Sequence, residues 1–315
     1  MYVNDFFGSI IRKKNYMSVV YLILNVALIS MLFFLFLPGT YTSGISEKWV
    51  VVYRGVYSIL CGIAVYTVSV AIALSPFGES VLRFRHKCHA IEREDYRRRV
   101  MPLFNEVYTG AKREEPSIAD GVGLYMCEMD GSNAYAIGRK TICITKGLLN
   151  ERDEVIKAVL AHEFGHLSNK DTDLILVISV GNFVITGVMV FIRLVLIIAG
   201  ILLAIISLLI GGSEGRLGII IGSLTALVST GIMTALMWIW TKVGLLLVVQ
   251  TGRECEFEAD AFARRLGYGL GLCMYLDSGK ESIPKGIFAA LSTRHPVNDE
   301  RIARLIAQGV RYSRY

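Results

Sequence analysis

The chain has 315 residues, 53% of them hydrophobic, with a mean hydropathy of +0.51; this excludes an ordinary water-soluble protein and puts part of the apolar mass against lipid. Its 33 Lys and Arg against 27 Asp and Glu leave a net charge of +6. With no dense basic tract interleaved with aromatics, that surplus suits lipid headgroups and excludes nucleic acid as a partner. The six cysteines form no C-x-x-C, which excludes a disulfide framework and reads as reduced thiols in a non-oxidising compartment.

The first predicted element is an uncharged run from Met17 to Leu37, long enough at 1.5 Å per residue to cross a hydrocarbon core of about 30 Å. It exceeds a secretory h-region, and Leu37-Pro38-Gly39-Thr40 is no small-x-small cleavage site, so it reads as a span and not a cleaved leader. A second uncharged run, Gly55 to Ser75, completes a hairpin. A polar stretch follows from Pro76 to Asp173. His86 and His89, within the basic segment Arg83 to Arg99, are expected to face headgroups, since neither has a metal-ligating partner at a recognised spacing.

Asn133 to Ile137 and Thr141 to Leu149 alternate as strands about the turn Gly138-Arg139-Lys140. A helix is expected next, with Asn150 as N-cap, Glu151, Asp153 and Glu154 in its first turn, and Val155, Val159 and Leu160 as its apolar stripe. Apolar sequence returns at Leu174–Gly212 and Leu217–Gln250, broken only by Arg193 and Lys242. These predict two long helices joined by the turn Gly211 to Gly215, with small residues Gly218, Gly222 and Ala226 along one ridge. A further helix is expected over Arg253–Ala263.

Lys and Arg set the orientation, because cytoplasmic flanks carry the excess. Arg12, Lys13 and Lys14 precede the first span, Lys48 and Arg54 lie between the first two, and seven Lys and Arg from Arg83 to Arg99 follow the second. The resulting organisation is a transmembrane hairpin over 1–75, cytoplasmic segments over 76–173 and 251–315, and a second helix pair over 174–250.

The chemistry lies in Leu160-Ala161-His162-Glu163-Phe164-Gly165-His166, an H-E-x-x-H motif. On a helix, positions i and i+4 share a face, so His162 and His166 can reach one zinc ion while Glu163 flanks it near a water. A catalytic zinc needs a third protein ligand and an open position. Glu254, Glu256 and Glu258 are the downstream candidates, and spacing alone does not choose among them. Asp260, at i+4 from Glu256, is placed to accept a hydrogen bond from a ligating histidine.

These residues resemble the membrane metallopeptidase family that includes the HtpX heat-shock proteases and the type I CAAX prenyl proteases. The family pairs H-E-x-x-H with a later E-x-x-A-D, here Glu256-Phe257-Glu258-Ala259-Asp260. The resemblance implies Glu256 as third zinc ligand, Asp260 beside the ligands, and Asn133 and Ala134 on an edge strand where substrate pairs by β-augmentation. Arg253 fits the pattern, whereas Gly252 and Cys255 depart from its usual serine and basic residue. His295-Pro296 and Arg301 match an H-P-x-x-x-x-R element whose polar side chains approach the site, with Arg294 in place of the usual threonine.

The implied fold is a mainly α membrane protein with four transmembrane helices and a cytoplasmic α+β zincin-like (gluzincin) catalytic domain carrying a small edge-strand sheet. The implied function is zinc-dependent hydrolysis of peptide bonds in proteins or peptides, membrane proteins among them, for quality control in a bacterial inner membrane. Glu163 is the general base, and His295 or Arg301 stabilises the oxyanion. A CAAX-type endopeptidase and a non-catalytic membrane scaffold are the alternatives, and the oligomeric state is left open.

Overall fold

The computed structural model describes residues 16–36, 47–210, 212–279 and 298–313. Its elements in chain order are α1 (Tyr16–Phe36), α2 (Glu47–Ala73), α3 (Pro76–Arg85), β1 (His89–Ala90), α4 (Glu94–Glu114), β2 (Gly123–Cys127), β3 (Ala134–Ile137), β4 (Thr141–Thr145), α5 (Asp153–Asn169), α6 (Asp171–Ile210), α7 (Gly212–Arg265), α8 (Gly269–Asp277) and α9 (Asn298–Ala307). The chain divides into two compact units. One comprises Met1–Val20, Val70–Ile178 and Leu247–Tyr315, the other Tyr21–Ser69 and Ser179–Leu246.

The second unit is helical and wears its apolar side chains outward, as at Leu60, Phe183, Phe191 and Leu227. Two of its helices, Trp49–Ala73 and Phe183–Ile206, are long and apolar enough to cross a membrane, and Val19–Phe34 is a shorter apolar helix. Its interior holds a polar contact: the Trp240 indole Nε1 donates to Asn25 Oδ1 at 3.2 Å, and the Tyr21 and Trp240 rings stack at 5.4 Å. A buried amide finds a partner on another helix because lipid offers none. Of the turn expected over Gly211 to Gly215, Gly212 to Gly215 belong instead to α7, and Gly211 lies outside the described residues. That helix runs on through Arg265, so the separate helix expected over Arg253–Ala263 is its last part.

In the first unit a mixed four-stranded sheet has the order β1-β2-β4-β3. β2 and β4 are parallel, and the pairs β1–β2 and β3–β4 are antiparallel. The expected hairpin is therefore present as β3 and β4, and β3 is an edge strand. β4 is shorter than the sequence predicts, because Lys146–Asn150 closes into a 3-10 turn that buries Leu148 and Leu149. This turn absorbs Asn150, so α5 starts instead at Asp153, with the Arg152 carbonyl accepting from Val155 and Ile156.

One core gathers every layer. α4 contributes Val100, Phe104, Val107 and Ala111 at spacings of three and four, and the sheet adds Leu124, Ile142 and Ile144. α5 adds Ile156, Leu160 and Phe164, with Phe262, Leu272 and Ile302 from the later helices. Fully burying each such side chain stabilises the fold by about 1.5 to 3 kcal/mol. The other face of the sheet packs Cys88, Cys127, Cys143 and Ile137 beside Tyr135. None of the six cysteines is in a disulfide. Of the two histidines expected at headgroups, His86 turns inward to the Tyr135 ring, 5.9 Å between centroids, while exposed His89 lies 3.7 Å from Glu128.

Candidate active site

α5 delivers His162, Glu163 and His166 because its apolar residues fix which face turns inward. Phe164 is fully buried, its ring 5.6 Å from Phe104 and 5.5 Å from Tyr108, which anchors the helix to α4. Asp153 and Glu154 sit in its first turn, where carboxylates oppose the positive end of the helix dipole. Gly165 permits close approach of α7. A Cβ built there would lie 2.7 Å from Ala259 Cα, so any larger residue would force the two helices apart between the histidines and Glu256.

That approach brings the ligand candidates together. His162 Nε2 and His166 Nε2 are 3.2 Å apart, and the two carboxylate oxygens of Glu256 lie 3.4 Å from His162 Nε2 and 3.5 Å from His166 Nε2. The rings stand edge to face at 88°. One ligand atom from each of the three residues falls within 4.8 Å of the others. Two imidazole nitrogens and a carboxylate converging at this spacing are a donor set that fits a divalent metal. Among Glu254, Glu256 and Glu258, the helix turns Glu256 to the histidines.

Behind the ligands lies a second layer. His162 Nδ1 donates to Asp260 Oδ1 at 2.9 Å, which leaves Nε2 facing Glu256. Arg301 grips Asp260 with two hydrogen bonds, Nε to Oδ2 at 2.8 Å and Nη2 to Oδ1 at 2.6 Å, and its Nη1 lies 3.4 Å from Glu256 Oε2. Asp260 and Arg301 are 3% and 2% exposed, so this is a buried ion pair in fork-to-fork geometry. The guanidinium is spent on the carboxylates behind His162, which fits a positioning role better than the oxyanion role expected from sequence. His295 lies outside the described residues.

Burial shapes the protonation of His162, Asp260 and Glu163. For His162 burial alone would favour the neutral ring, but the hydrogen bonds to Asp260 and Glu256 outweigh it and push the pKa up to about 9. Burial would likewise raise the Asp260 carboxyl, yet the Arg301 guanidinium holds it below the usual carboxylate range. Among the described residues, Glu163 has no guanidinium beside it. Burial raises its pKa, only partly countered by the two histidines.

The sheet edge completes the site. Ala134 and Ala136 turn their amides away from β4: the Ala134 N–H meets Asn133 Oδ1 at 2.8 Å, and the Ala136 N–H donates to Glu163 Oε2 at 2.7 Å. Asn133 itself faces β4, its N–H donating to Thr145 Oγ1 and its carbonyl accepting from the Thr145 N–H. Sequence reasoning singled out Asn133 and Ala134 and missed Ala136, although period-two alternation puts it on the same side as Ala134. It also missed Glu79 of α3, whose Oε1 accepts from Arg139 and Lys140 at 2.8 and 3.2 Å and closes over Gly138, at φ +56, the turn that ends β3. Its signal was faint: it is the one acidic residue between Ser75 and Glu92.

The profile of Peptidase family M48 matches residues 98–308. Protease HtpX of Hahella chejuensis is 28% identical over 202 residues, covering 56% of this chain and 62% of that protein. The Protease HtpX homolog of Aeropyrum pernix is 34% identical over 172 residues, covering 51% and 47%. Protease HtpX homolog 1 of Streptomyces coelicolor is 31% identical over 121 residues, covering 36% of each. In each case the chain spans less than two thirds of the relative's own length.

Proposed function

The chain belongs to peptidase family M48, in its HtpX-like membrane metallopeptidase branch, and on that premise we propose that it is a zinc-dependent integral-membrane endopeptidase. One observation carries the reading: His162, His166 and Glu256 converge within 4.8 Å, with the carboxylate of Glu163 buried beside them. His162, His166 and Glu256 would hold the ion. When bound, zinc supplies Lewis acidity, which lowers the pKa of water to near 7 and polarises a peptide carbonyl.

The chain's own residues do the rest. Glu163, whose buried carboxyl has an elevated pKa, takes a proton from the attacking water and returns it to the leaving amine. Asp260 fixes the His162 ring, and Arg301 fixes Asp260. The outer edge of β3, entered at Asn133 and Ala134, pairs with the substrate backbone, a mode that tolerates many side chains. His295 is the remaining candidate donor to the oxyanion.

The two apolar helices and the sequence distribution of Lys and Arg support a multi-pass protein of four spans in a bacterial inner membrane, with site and termini cytoplasmic. Such a placement fits membrane proteins or their exposed loops as substrates, and quality control as the role. A CAAX-type activity on a prenylated tail is the second enzymatic reading, and a scaffold the non-catalytic one. The test is self-cleavage and casein cleavage by detergent-purified protein, with and without chelator. Loss on chelation with recovery on zinc addition is expected. A chain that binds zinc yet cuts neither casein nor a membrane-anchored reporter would support the scaffold instead.

A further inference from the structure

Helix α3 is inside out for a helix in water. Its exposed stripe is apolar: Phe77, Val81 and Phe84 fall at i, i+4 and i+7 and are 68%, 48% and 88% exposed. Its opposite face carries Glu79, which is buried, with Leu82 packed among the residues beneath the sheet and Arg83 donating to Thr141 Oγ1 at 3.1 Å. Nothing in the capping chemistry explains the inversion. Ser75 caps the helix in the ordinary way, with Pro76 in its first turn, and α3 would form as readily with polar residues at those three outer positions.

Two facts identify what covers this stripe. The candidate span Trp49–Ala73 ends three residues before α3 begins, so the helix emerges where the chain leaves the hydrocarbon. Arg85 and Lys87, exposed and without an acidic partner among the described residues, supply the positive charge that anionic headgroups attract. An apolar stripe flanked by basic residues is the pattern of a helix lying in the headgroup layer.

We infer that α3 lies in the membrane interface, its two phenylalanines among lipid headgroups and upper acyl chains. Through Glu79 the same helix clamps the turn that ends β3, so the lipid contact also fixes the substrate-pairing edge at the bilayer surface. This rests on reading Trp49–Ala73 as a span.

The test uses the full chain in vesicles of phosphatidylcholine and phosphatidylglycerol. Phe84→Trp is compared with wild type, so that the difference isolates the added indole from Trp49, Trp238 and Trp240. Expected is added emission at short wavelength, quenched by bromines on the upper acyl chain and shielded from iodide. Emission at long wavelength, quenched by iodide and not by brominated lipid, would overturn the proposal, and Phe77→Trp provides the same readout if the first variant fails to fold. Alkaline carbonate separates the two levels. A chain that stays in the membrane pellet with an iodide-quenched Trp overturns the α3 assignment alone, and a chain released by carbonate overturns the span as well. Arg85→Glu with Lys87→Glu is expected to weaken the bromine quenching most in vesicles rich in phosphatidylglycerol; equal quenching with and without the anionic lipid would remove the charge from the argument.

Discussion

Two buried glutamates brace the same edge strand and do opposite things. Glu79 spends its Oε1 on two backbone amides of the β3–β4 turn and has Arg83 within 3.8 Å. Among the described residues, Glu163 receives one backbone amide, from Ala136, faces two imidazoles and has no guanidinium beside it. A carboxylate saturated with donors is an anchor. One with unspent lone pairs and a raised pKa is poised to carry a proton. What separates structure from chemistry here is the number of donors around the acid, since both are nearly sealed from water.

Exchanging each acid for its amide is the sharpest way to break this comparison. Glu163→Gln should lower peptide hydrolysis by about 10³-fold while zinc content, read by metal analysis, stays at wild-type level. Because burial raises the Glu163 pKa, its charged form costs stability as pH rises above the unfolded value, so the Tm of the metal-free variant at neutral pH should equal or exceed wild type. Retained activity would remove Glu163 from the mechanism.

Next in size is Arg301→Leu, which strands Asp260 as a buried charge and should cost about 3 to 5 kcal/mol in chemical denaturation. Asp260→Asn with Arg301→Leu should recover part of that loss, and no recovery would separate the two residues energetically. Glu79→Gln should cost about 2 kcal/mol, with kcat for a soluble peptide largely kept in the folded fraction. If kcat collapsed as it does in Glu163→Gln, the division between anchor and proton carrier would fail. The smallest effect is expected at a third glutamate, Glu106, exposed and 2.6 Å from Lys157. The Lys157 hydrogen bond lowers its pKa, so its contribution is present above the unfolded carboxylate pKa and lost as pH falls through the lowered one. Glu106→Gln should therefore differ from wild type by at most about 0.5 kcal/mol at neutral pH, and by nothing in acid.

The glutamates also show what is legible in a sequence. Glu163 is readable because its partners lie one helical turn away, and the same periodicity yields α5. The hairpin β3–β4 is readable from local alternation, and Glu256 with Asp260 from helical spacing plus a family pattern. Glu79 is not readable, because its partners lie 60 and 61 residues on, and a lone acid among apolar and basic neighbours looks like a solvated side chain. β1 and β2 escaped for a related reason. β1 has two residues, and β2 pairs in parallel with a strand beyond β3, a contact that no local period announces. Asn150 as N-cap failed because the core's demand for Leu148 and Leu149 outweighed capping propensity.

The site draws on three stretches of chain: 133–166, 256–260 and 301. A ribosome that has released residue 200 has already delivered both imidazoles and Glu163 but not Glu256, and the guanidinium that steadies Asp260 comes 45 residues after Glu256 (301 − 256). A nascent or truncated chain therefore carries an incomplete blade. On the proposed function, the site is assembled only once residues 256–301 have been made, a delay that follows from the order of the residues along the polypeptide.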